Sequence, residues 1–302
     1  MAEKTGIAWC DRTFNPWIGC TKVSEGCAHC YAEAQNKRYR WVDQWGPQGT
    51  RRRTSAENWK KVERWNAEKW LECECGWRGP HKDTMEMTTR MNGYFRSCTN
   101  VECKGKANST RQRVFVGSLM DVFEDHPELV EWRNDLLDLV TRCANLDFLF
   151  LTKRPENALP MTREWAWPKN IWMGTTVENQ EQVKRLIPLL ETPAPVHFLS
   201  VEPMLEQVYL GFPAWLNLKP DMWVICGGES GAGCRPMEIE WARDLLAQCR
   251  TANVPFFMKQ LGGHPRKRHD MADLPEDLRV REFPDLSPGP LPEGRGVWRS
   301  ER

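Results

Sequence analysis

Residues 223–230 have the sequence WVICGGES, a short apolar run that ends in two glycines and a carboxylate. A run of this length and composition predicts a strand that is buried on both faces. Five further runs of the same kind follow residue 112: VFVGSL at 114–119, FLFLT at 148–152, IWMGTT at 171–176, HFLSV at 197–201 and PFFMK at 255–259. Their recurrence indicates a repeated strand unit.

Amphipathic helical patterns lie between several of these runs. Three apolar stripes have helical spacing: Leu129, Trp132, Leu136, Leu139, Val140 and Cys143; Val183, Leu186, Ile187 and Leu190; Trp241, Ala242, Leu245 and Cys249. Buried strands that alternate with amphipathic helices predict a parallel sheet with right-handed crossovers. We therefore expect an α/β fold, a partial (β/α) barrel of about six parallel strands.

The composition limits the classes of protein that fit. The chain has 302 residues, with 42 Lys plus Arg, 41 Asp plus Glu and a net charge of +1. This balance excludes a global polycation but permits local basic patches. No apolar run approaches the ~18 residues that a membrane span needs, and the first residues lack the apolar region of a secretion signal. We expect a cytoplasmic protein with no membrane contact.

Three of the 12 cysteines form a group near the amino terminus: Cys20, Cys27 and Cys30. In a reducing compartment, clustered cysteines indicate metal binding or catalysis rather than disulfides. The group suits a zinc site with His29 as the fourth ligand, or a [4Fe–4S] cluster with one iron left open to a small molecule. A glycine directly precedes Cys20 and another precedes Cys27, which favours tight wrapping of the backbone. Spacing alone leaves both interpretations open.

A second group contains four cysteines in two close pairs: Cys73, Cys75, Cys98 and Cys103. Four thiolates in two pairs suit a tetrahedral Zn²⁺ ion, and the glycines that follow each pair allow turns whose N–H groups point at sulfur. The surrounding segment has few aliphatic residues, so a metal worth ~10 kcal/mol would supply the missing stability. We predict a structural zinc site formed by these four cysteines, with free or otherwise-used thiols as the alternative.

Polar residues follow every predicted strand. In a (β/α) barrel the carboxyl ends of the strands share one edge, where the functional site lies. The residues at these ends are Ser118 and Asp121, Lys153 and Arg154, Thr176 and Glu178, Ser200 and Glu202, Gly227, Gly228 and Glu229, and Lys259 and Gln260. We expect them to meet in one site, although Ser118 and Thr176 are equally suited to cap the helices that follow.

Residues 37–69 are rich in cations and aromatic rings. This segment contains ten Lys and Arg and four Asp and Glu, a local charge excess of +6. Tyrosine and tryptophan residues are interleaved with the cations. Such a surface suits the tracking of phosphates and the stacking of bases, whereas the alternative is the solvated face of a helix. The predicted regions are a cluster loop with this basic-aromatic segment at 1–70, an inserted zinc knuckle at 71–112, barrel units at 113–264 and an irregular tail at 265–302.

The amino-terminal sequence TGIAWCDRTFNPWIGCTKVSEGCAHCYAE at 5–33 resembles the phage Gp37/Gp68-like family (DUF5131), also called three-Cys-motif proteins, a radical-SAM-like group. Six more blocks match in the same order: VFVGSLMDVFED at 114–125, FLFLTKRPENA at 148–158, GTTVENQ at 174–180, HFLSVEPML at 197–205, WVICGGESGAGCRPM at 223–237 and VPFFMKQLGG at 254–263. The resemblance extends from about residue 5 to residue 264, and the segment 71–112 is an insertion on it.

The resemblance implies that Cys20, Cys27 and Cys30 hold a [4Fe–4S] cluster whose open iron binds S-adenosylmethionine, which an electron donor then reduces and cleaves. The first cysteine gap is six residues here, where the familiar radical-SAM motif has three. The expected contacts to S-adenosylmethionine are Ser118, Asp121, Thr176, Glu178, Gly227, Gly228 and Glu229. The expected contacts to the substrate or to the methionine carboxylate are Lys153, Arg154, Glu202 and Lys259. Of these, Lys153, Glu202 and Lys259 are the candidate catalytic residues.

The substrate class remains open at this level. The basic-aromatic segment and the knuckle favour DNA or RNA, with modification or repair of a flipped or unpaired base. One alternative is a radical enzyme that acts on a peptide or a small metabolite. Another is a non-catalytic, zinc-dependent protein that binds nucleic acid.

Overall fold

A computed structural model describes residues 5–88, 94–99, 103, 105–211, 221–230, 233–262 and 270–284. Its strands are β1 (Arg12–Phe14), β2 (Trp17–Ile18), β3 (Arg52–Arg53), β4 (Trp70–Cys73), β5 (Arg78–Pro80), β6 (Met85–Thr88), β7 (Tyr94–Ser97), β8 (Ala107–Thr110), β9 (Gln112–Val116), β10 (Leu146–Thr152), β11 (Ile171–Thr176), β12 (Val196–Val201), β13 (Met222–Gly227) and β14 (Phe256–Gln260). Its helices are α1 (Tyr31–Tyr39), α2 (Ala56–Ala67), α3 (Leu129–Arg142), α4 (Ala158–Met161), α5 (Leu186–Glu191) and α6 (Ile239–Thr251). Short 3₁₀ helices cover Glu25–Cys27, His81–Asp83, Pro155–Asn157, Gln180–Arg185, Met271–Asp273 and Glu276–Leu278.

Seven parallel strands form the main sheet in the order β1-β9-β10-β11-β12-β13-β14, and the sheet curls into a half-barrel. Each of the six predicted apolar runs overlaps one of the strands from β9 to β14. The expectation of about six strands is therefore one strand short. The additional strand is β1, which has only three residues and pairs Thr13 with Phe115. Its sequence, RTF, contains no apolar run that would predict it.

Helices cover the outer face of the half-barrel, and aromatic rings fill part of its inner face. Leu136, Leu189 and Leu245 from the helices join the outer core. The inner cluster includes Trp9, Phe115, Leu149, Trp172, Phe198, Trp223 and Phe257. By register Phe115, Leu149 and Trp172 lie side by side, as do Phe198 and Trp223, and all of them precede the carboxyl ends of their strands. The interior is thus filled with aromatic side chains at this level, and polar side chains follow above it.

The three predicted helical stripes correspond to α3, to the 3₁₀ helix at 180–185 with α5, and to α6. The second stripe contains one error, since Ile187 is 54 % exposed and Leu189 is buried in its place. The 3₁₀ helix has three residues per turn and α5 has 3.6, so a single helical period does not describe both. The first and third stripes are confirmed by the burial of Leu136 and Leu245.

The segment between α2 and β9 forms separate antiparallel sheets. Strand β4 pairs with β5 and β8, and β6 pairs with β7. These strands lie in the region where we predicted an inserted knuckle at 71–112, and the insertion stays a prediction.

At the other end of the chain, most of the predicted irregular tail lies outside the described residues. The part at 270–284 contains two 3₁₀ turns, and its Phe283 packs 5.2 Å from Trp223. Among the helices in the described ranges, none combines the length and apolar character needed to cross a bilayer.

Candidate functional site

The three-cysteine loop, residues 19–30, follows the first two strands and leads into α1. Gly19 adopts a φ of 115° there, a conformation that favours glycine. Cys27 ends a 3₁₀ helix, and Cys30 precedes the first residue of α1 and packs against Ile18 and Leu119. All three sulfur-bearing side chains are half-buried. The loop therefore presents its cysteines near the carboxyl edge of the sheet without burying them fully.

Glu178, just beyond β11, binds this loop. Its buried carboxylate accepts hydrogen bonds from the Ser24 hydroxyl and from the Gly26 backbone N–H at 3.4 Å, and it pairs with Arg185 at 2.7 Å. A Cβ atom at residue 26 would lie 2.9 Å from the carboxylate, so the glycine permits this approach. Burial acts to raise the pKa of Glu178, but the cations of Lys153 and Arg185 outweigh it and hold that pKa below its ordinary value. Glu178 is thus an ionised anchor between strand and loop.

Arg154, just beyond β10, makes a second connection. Its guanidinium donates to Asp121 at 2.9 Å and to the Thr21 carbonyl at 2.6 Å, and it lies 3.9 Å from the Cys20 sulfur. Asp121 also accepts a hydrogen bond from the Thr152 hydroxyl at 2.6 Å. Burial raises the pKa of the Cys20 thiol above its ordinary value, and Arg154 opposes that shift. A metal at Cys20 would have to displace the thiol proton.

Glu229, just beyond β13, makes a third connection. Its carboxylate receives hydrogen bonds from Arg235 at 2.6 Å, and one of its oxygens lies 3.0 Å from Nδ1 of His29. Arg235 also reaches the carboxylate of Glu25 at 3.2 Å. Although burial opposes ionisation, the bonds from Arg235 keep the pKa of Glu229 below its ordinary value. His29 is therefore used to bind the loop to the strand end.

The predicted hydroxyl residues also have protein partners. The Ser118 hydroxyl accepts from the Asn15 amide at 2.8 Å, and its carbonyl accepts from the Tyr31 hydroxyl at 2.6 Å. The Thr176 hydroxyl accepts from the Lys153 ammonium at 3.2 Å. In these contacts neither hydroxyl caps a helix, and Asn179 caps the 3₁₀ helix after β11. Both residues thus contribute to cross-connections at the carboxyl edge.

An ion pair joins two further predicted residues across the end of the sheet. Lys259 of β14 pairs with Glu202, which directly follows β12. Lys259 lies two residues beyond Phe257 of the inner cluster, at the point where the register between β13 and β14 shifts by one residue. A Cβ atom at Gly227 would lie 3.2 Å from Glu202, so glycine leaves room for that carboxylate. At Gly228 the close neighbour is instead the backbone of residue 262, 2.1 Å from a Cβ atom.

The second cysteine group converges tightly. The sulfurs of Cys73 and Cys103 are 3.6 Å apart, as are those of Cys75 and Cys98, and all four lie within 4.8 Å of one another. A tetrahedral ion with ~2.3 Å metal–sulfur bonds separates its ligand sulfurs by about 3.8 Å. The spacing thus fits four ligands of a single ion and is far too long for disulfide bonds.

Backbone N–H groups support this cysteine cluster. Those of Trp77 and Gly105 donate to the sulfurs of Cys75 and Cys103. The bond from Trp77 is the main cause that lowers the pKa of Cys75 to about 7. A Cβ atom at Gly105 would lie 3.1 Å from the Cys73 sulfur, so glycine permits the close turn. The four cysteines can bind a metal ion.

No other set in the described ranges brings three or more His, Cys, Asp or Glu ligand atoms within 4.8 Å of one another. Cys20, Cys27, Cys30 and His29 therefore do not surround one point as the ligands of a single zinc ion do. The zinc interpretation of this first group lacks geometric support.

The basic-aromatic segment divides into a buried part and an exposed part. Arg51 is buried and pairs with Glu124 at 2.7 Å. Trp59 and Trp65 pack against the main core. The exposed fraction of Tyr39 is 53 %, however. Much of the predicted surface is thus structural.

Several residues at the site had no sequence signal that would assign them a role. Arg185 and Arg235 are the partners of Glu178 and Glu229, and Asn15 orients Ser118. Arg235 lies within the block at 223–237 that carries the family resemblance, but the resemblance assigned it no role. The pairings connect residues far apart in the chain, so spacing does not reveal them.

The fold and site define an α/β half-barrel protein with a cysteine loop bound to its carboxyl edge and a separate cluster of four cysteines that can bind a metal ion. The chain belongs to the family described as "Protein of unknown function (DUF5131)", whose model matches residues 4–283. Searches of the curated proteins and of the solved structures found no match.

Proposed function

We propose that this protein is a radical-SAM-like enzyme in which Cys20, Cys27 and Cys30 hold a [4Fe–4S] cluster. The observation that carries the proposal is the position of the three-cysteine loop. It is bound through Glu178, Arg154 and other residues to the carboxyl ends of four parallel strands, where barrel enzymes place their chemistry.

The donor set fits the cluster better than it fits a single ion. In a [4Fe–4S] cluster each of the three thiolates binds a different iron. Their sulfurs can therefore lie further apart than the ligands of a single metal ion. In the described part of the chain these three thiols do not belong to any group of three or more ligand atoms within 4.8 Å of one another, which is the spacing that a single ion requires. A three-thiolate cluster keeps one iron open, and when bound it supplies one-electron reduction chemistry to S-adenosylmethionine from an external electron donor.

The chain's own residues then have two kinds of role. Asp121, Glu178 and Glu229 hold the loop through internal ion pairs, and in doing so fix the position of the cysteines. Lys153 and Lys259 reach the polar level above the aromatic cluster, where an ammonium can bind the methionine carboxylate or an anionic substrate. Glu202 neutralises Lys259 until such a ligand replaces it.

The second cysteine cluster supports a separate, structural role. We assign it a Zn²⁺ ion because four thiolates without an open position suit closed tetrahedral zinc. Its ion would tie β4, which contains Cys73, to Cys103 and so hold this segment together.

Anaerobic reconstitution with iron, sulfide and a reductant tests the enzyme proposal. The wild-type chain should bind four irons per cluster and convert S-adenosylmethionine to 5′-deoxyadenosine, which mass spectrometry detects. Cys27→Ala should lose both properties, while Cys143→Ala, which removes a thiol from the main core, should retain them. Iron content that is unchanged in Cys27→Ala refutes the ligand assignment, and a loaded wild-type chain that leaves S-adenosylmethionine intact refutes the activity.

A further inference from the structure

An exposed aromatic pair lies at the end of α1, on the helix that starts at the three-cysteine loop. The rings of Tyr39 and Trp41 stack with centroids 5.1 Å apart and planes inclined by 20°. Trp41 packs against the small cluster that also contains Cys30, so the pair has a fixed base. Tyr39 in contrast is 53 % exposed. A large ring so exposed, and held rigid by a stacked neighbour, is suited to receive another planar group.

Cations surround this pair. The guanidinium of Arg38 lies 5.2 Å from the centre of the Tyr39 ring, and Arg52 donates to the carbonyl of Trp41 at 3.2 Å. Arg40 follows directly after Tyr39 and is exposed. Within the described ranges, none of these three arginines pairs with a carboxylate, unlike the buried Arg51. Charge is therefore available to a polyanion at the place where a ring is available for stacking.

We propose that Tyr39 and Trp41, with Arg38, Arg40 and Arg52, form a binding platform for single-stranded nucleic acid. Bases stack on aromatic rings and guanidinium planes, while arginines neutralise phosphates. An acidic peptide would match the charge but would leave the exposed ring without a planar partner. A duplex would hide its bases from the ring.

The platform is close enough to the cysteines to serve the same substrate. Tyr39 lies nine helical positions beyond Cys30, a rise of about 13 Å, which a few nucleotides of one strand can span. A strand held on the platform would bring a base a few nucleotides away to the carboxyl edge. This inference names the substrate class of the proposed enzyme, so its role in catalysis rests on that proposal. Binding of nucleic acid to the platform can be tested without it.

Fluorescence anisotropy with a labelled oligo-dT of about 12 nucleotides, within the usual site sizes, tests the platform on the whole chain. Three phosphate contacts predict a slope of log affinity against log salt of about −2, so binding should weaken about 20-fold between roughly 50 and 200 mM salt. Tyr39→Ala should weaken binding by about 5- to 150-fold, the cost of losing one stacked base, and Tyr39→Phe should restore it. Tyr209→Ala, which removes another exposed tyrosine, is the matched control and should bind as the wild type.

The arginines need a variant that does not strain the backbone. Arg40 has a φ of 49°, which asparagine tolerates, so Arg40→Asn should reduce the salt slope by about 0.7 without disturbing α1. Wild-type affinity in Tyr39→Ala, equal binding to polyglutamate of the same charge, or tighter binding to duplex than to single strands each overturns the platform.

The same assay separates this inference from the enzyme proposal. Cys27→Ala should bind oligo-dT as the wild type. Intact binding without cleavage of S-adenosylmethionine refutes the enzyme alone, and intact cleavage without binding refutes the platform alone.

Discussion

Replacing Glu178 with alanine should destabilise the fold and release the three-cysteine loop. The Glu178 side chain is fully buried, and its partner Arg185 is 6 % exposed. Removing one partner from a buried ion pair costs ~3–5 kcal/mol, since the other charge remains buried. Arg185 keeps a hydrogen bond to the Thr176 carbonyl at 2.8 Å, so we expect the lower end, about 3 kcal/mol.

The same substitution has a local effect that global unfolding does not report. Ser24 and the Gly26 N–H lose their acceptor, so the loop should open more often than the rest of the molecule. Alkylation of Cys27 in the metal-free protein, followed by peptide mass spectrometry, measures this opening. The rate should rise in Glu178→Ala, while the rate at buried Cys249 should change only as far as global stability does.

Glu181→Ala provides the matched control for both measurements. Glu181 lies three residues further along and pairs with Lys184 at 2.7 Å, but both side chains are well exposed. Exposed pairs contribute ~0–1 kcal/mol, so urea unfolding should show a small loss for Glu181→Ala and a much larger one for Glu178→Ala. Equal midpoints in the two variants, or unchanged alkylation of Cys27, would show that Glu178 does not anchor the loop.

Three further predictions follow from the same contacts. Cys98→Ser should lose the bound zinc, measured by a colorimetric chelator, and should create a protease site within 71–112 while the main sheet stays folded; retained zinc would contradict the assignment. Gly26→Ala should cost ~1–3 kcal/mol in urea unfolding, because its Cβ would lie 2.9 Å from the Glu178 carboxylate, and wild-type stability would contradict that crowding. The pKa of Glu178 is held below its ordinary 4.5, so its ionisation stabilises the fold above that pH and the benefit is lost as the pH falls through the lower folded pKa. The stabilities of the wild type and Glu178→Gln should therefore converge in acid, and a constant difference down to low pH would refute the shift.

The central sheet was predictable because the apolar runs are long enough to identify. Each buried strand from β9 to β14 carries its own signal, as in FLFLT, and needs no knowledge of its neighbours. Strand β1 has no such signal, since Arg12 and Thr13 are only half-buried and the strand is defined by pairing with β9. The error at Ile187 has a similar origin, because a local switch from 3₁₀ to α helix changes the period.

The two cysteine groups differ in how far local sequence could define them. The four cysteines of the knuckle form two closely spaced pairs, each followed by a glycine, and Gly105 lies against the sulfurs of Cys73 and Cys103. Such close spacing can be seen in the sequence itself. The three-cysteine loop is positioned by residues more than 130 positions away, such as Arg154 for Cys20 and Glu178 for Ser24. Spacing within the loop therefore shows that the three cysteines form a group, but not the sheet edge on which that group lies.

The strand-end carboxylates have protein partners that residue type alone does not reveal. Asp121, Glu178 and Glu229 occupy the positions where a cofactor contact is expected, yet each is already bound by an arginine of the same chain. Breaking such a buried pair to bind a ligand would leave a cation without its counter-charge, which is costly. Lys259 and Glu202 are less deeply buried, with side chains 20 % and 15 % exposed, so exchange of a partner costs less there. If S-adenosylmethionine or substrate binds at this edge, Lys259 and Glu202 are the residues that can exchange their partner for the ligand. The ion pairs that hold the cysteine loop would then stay intact.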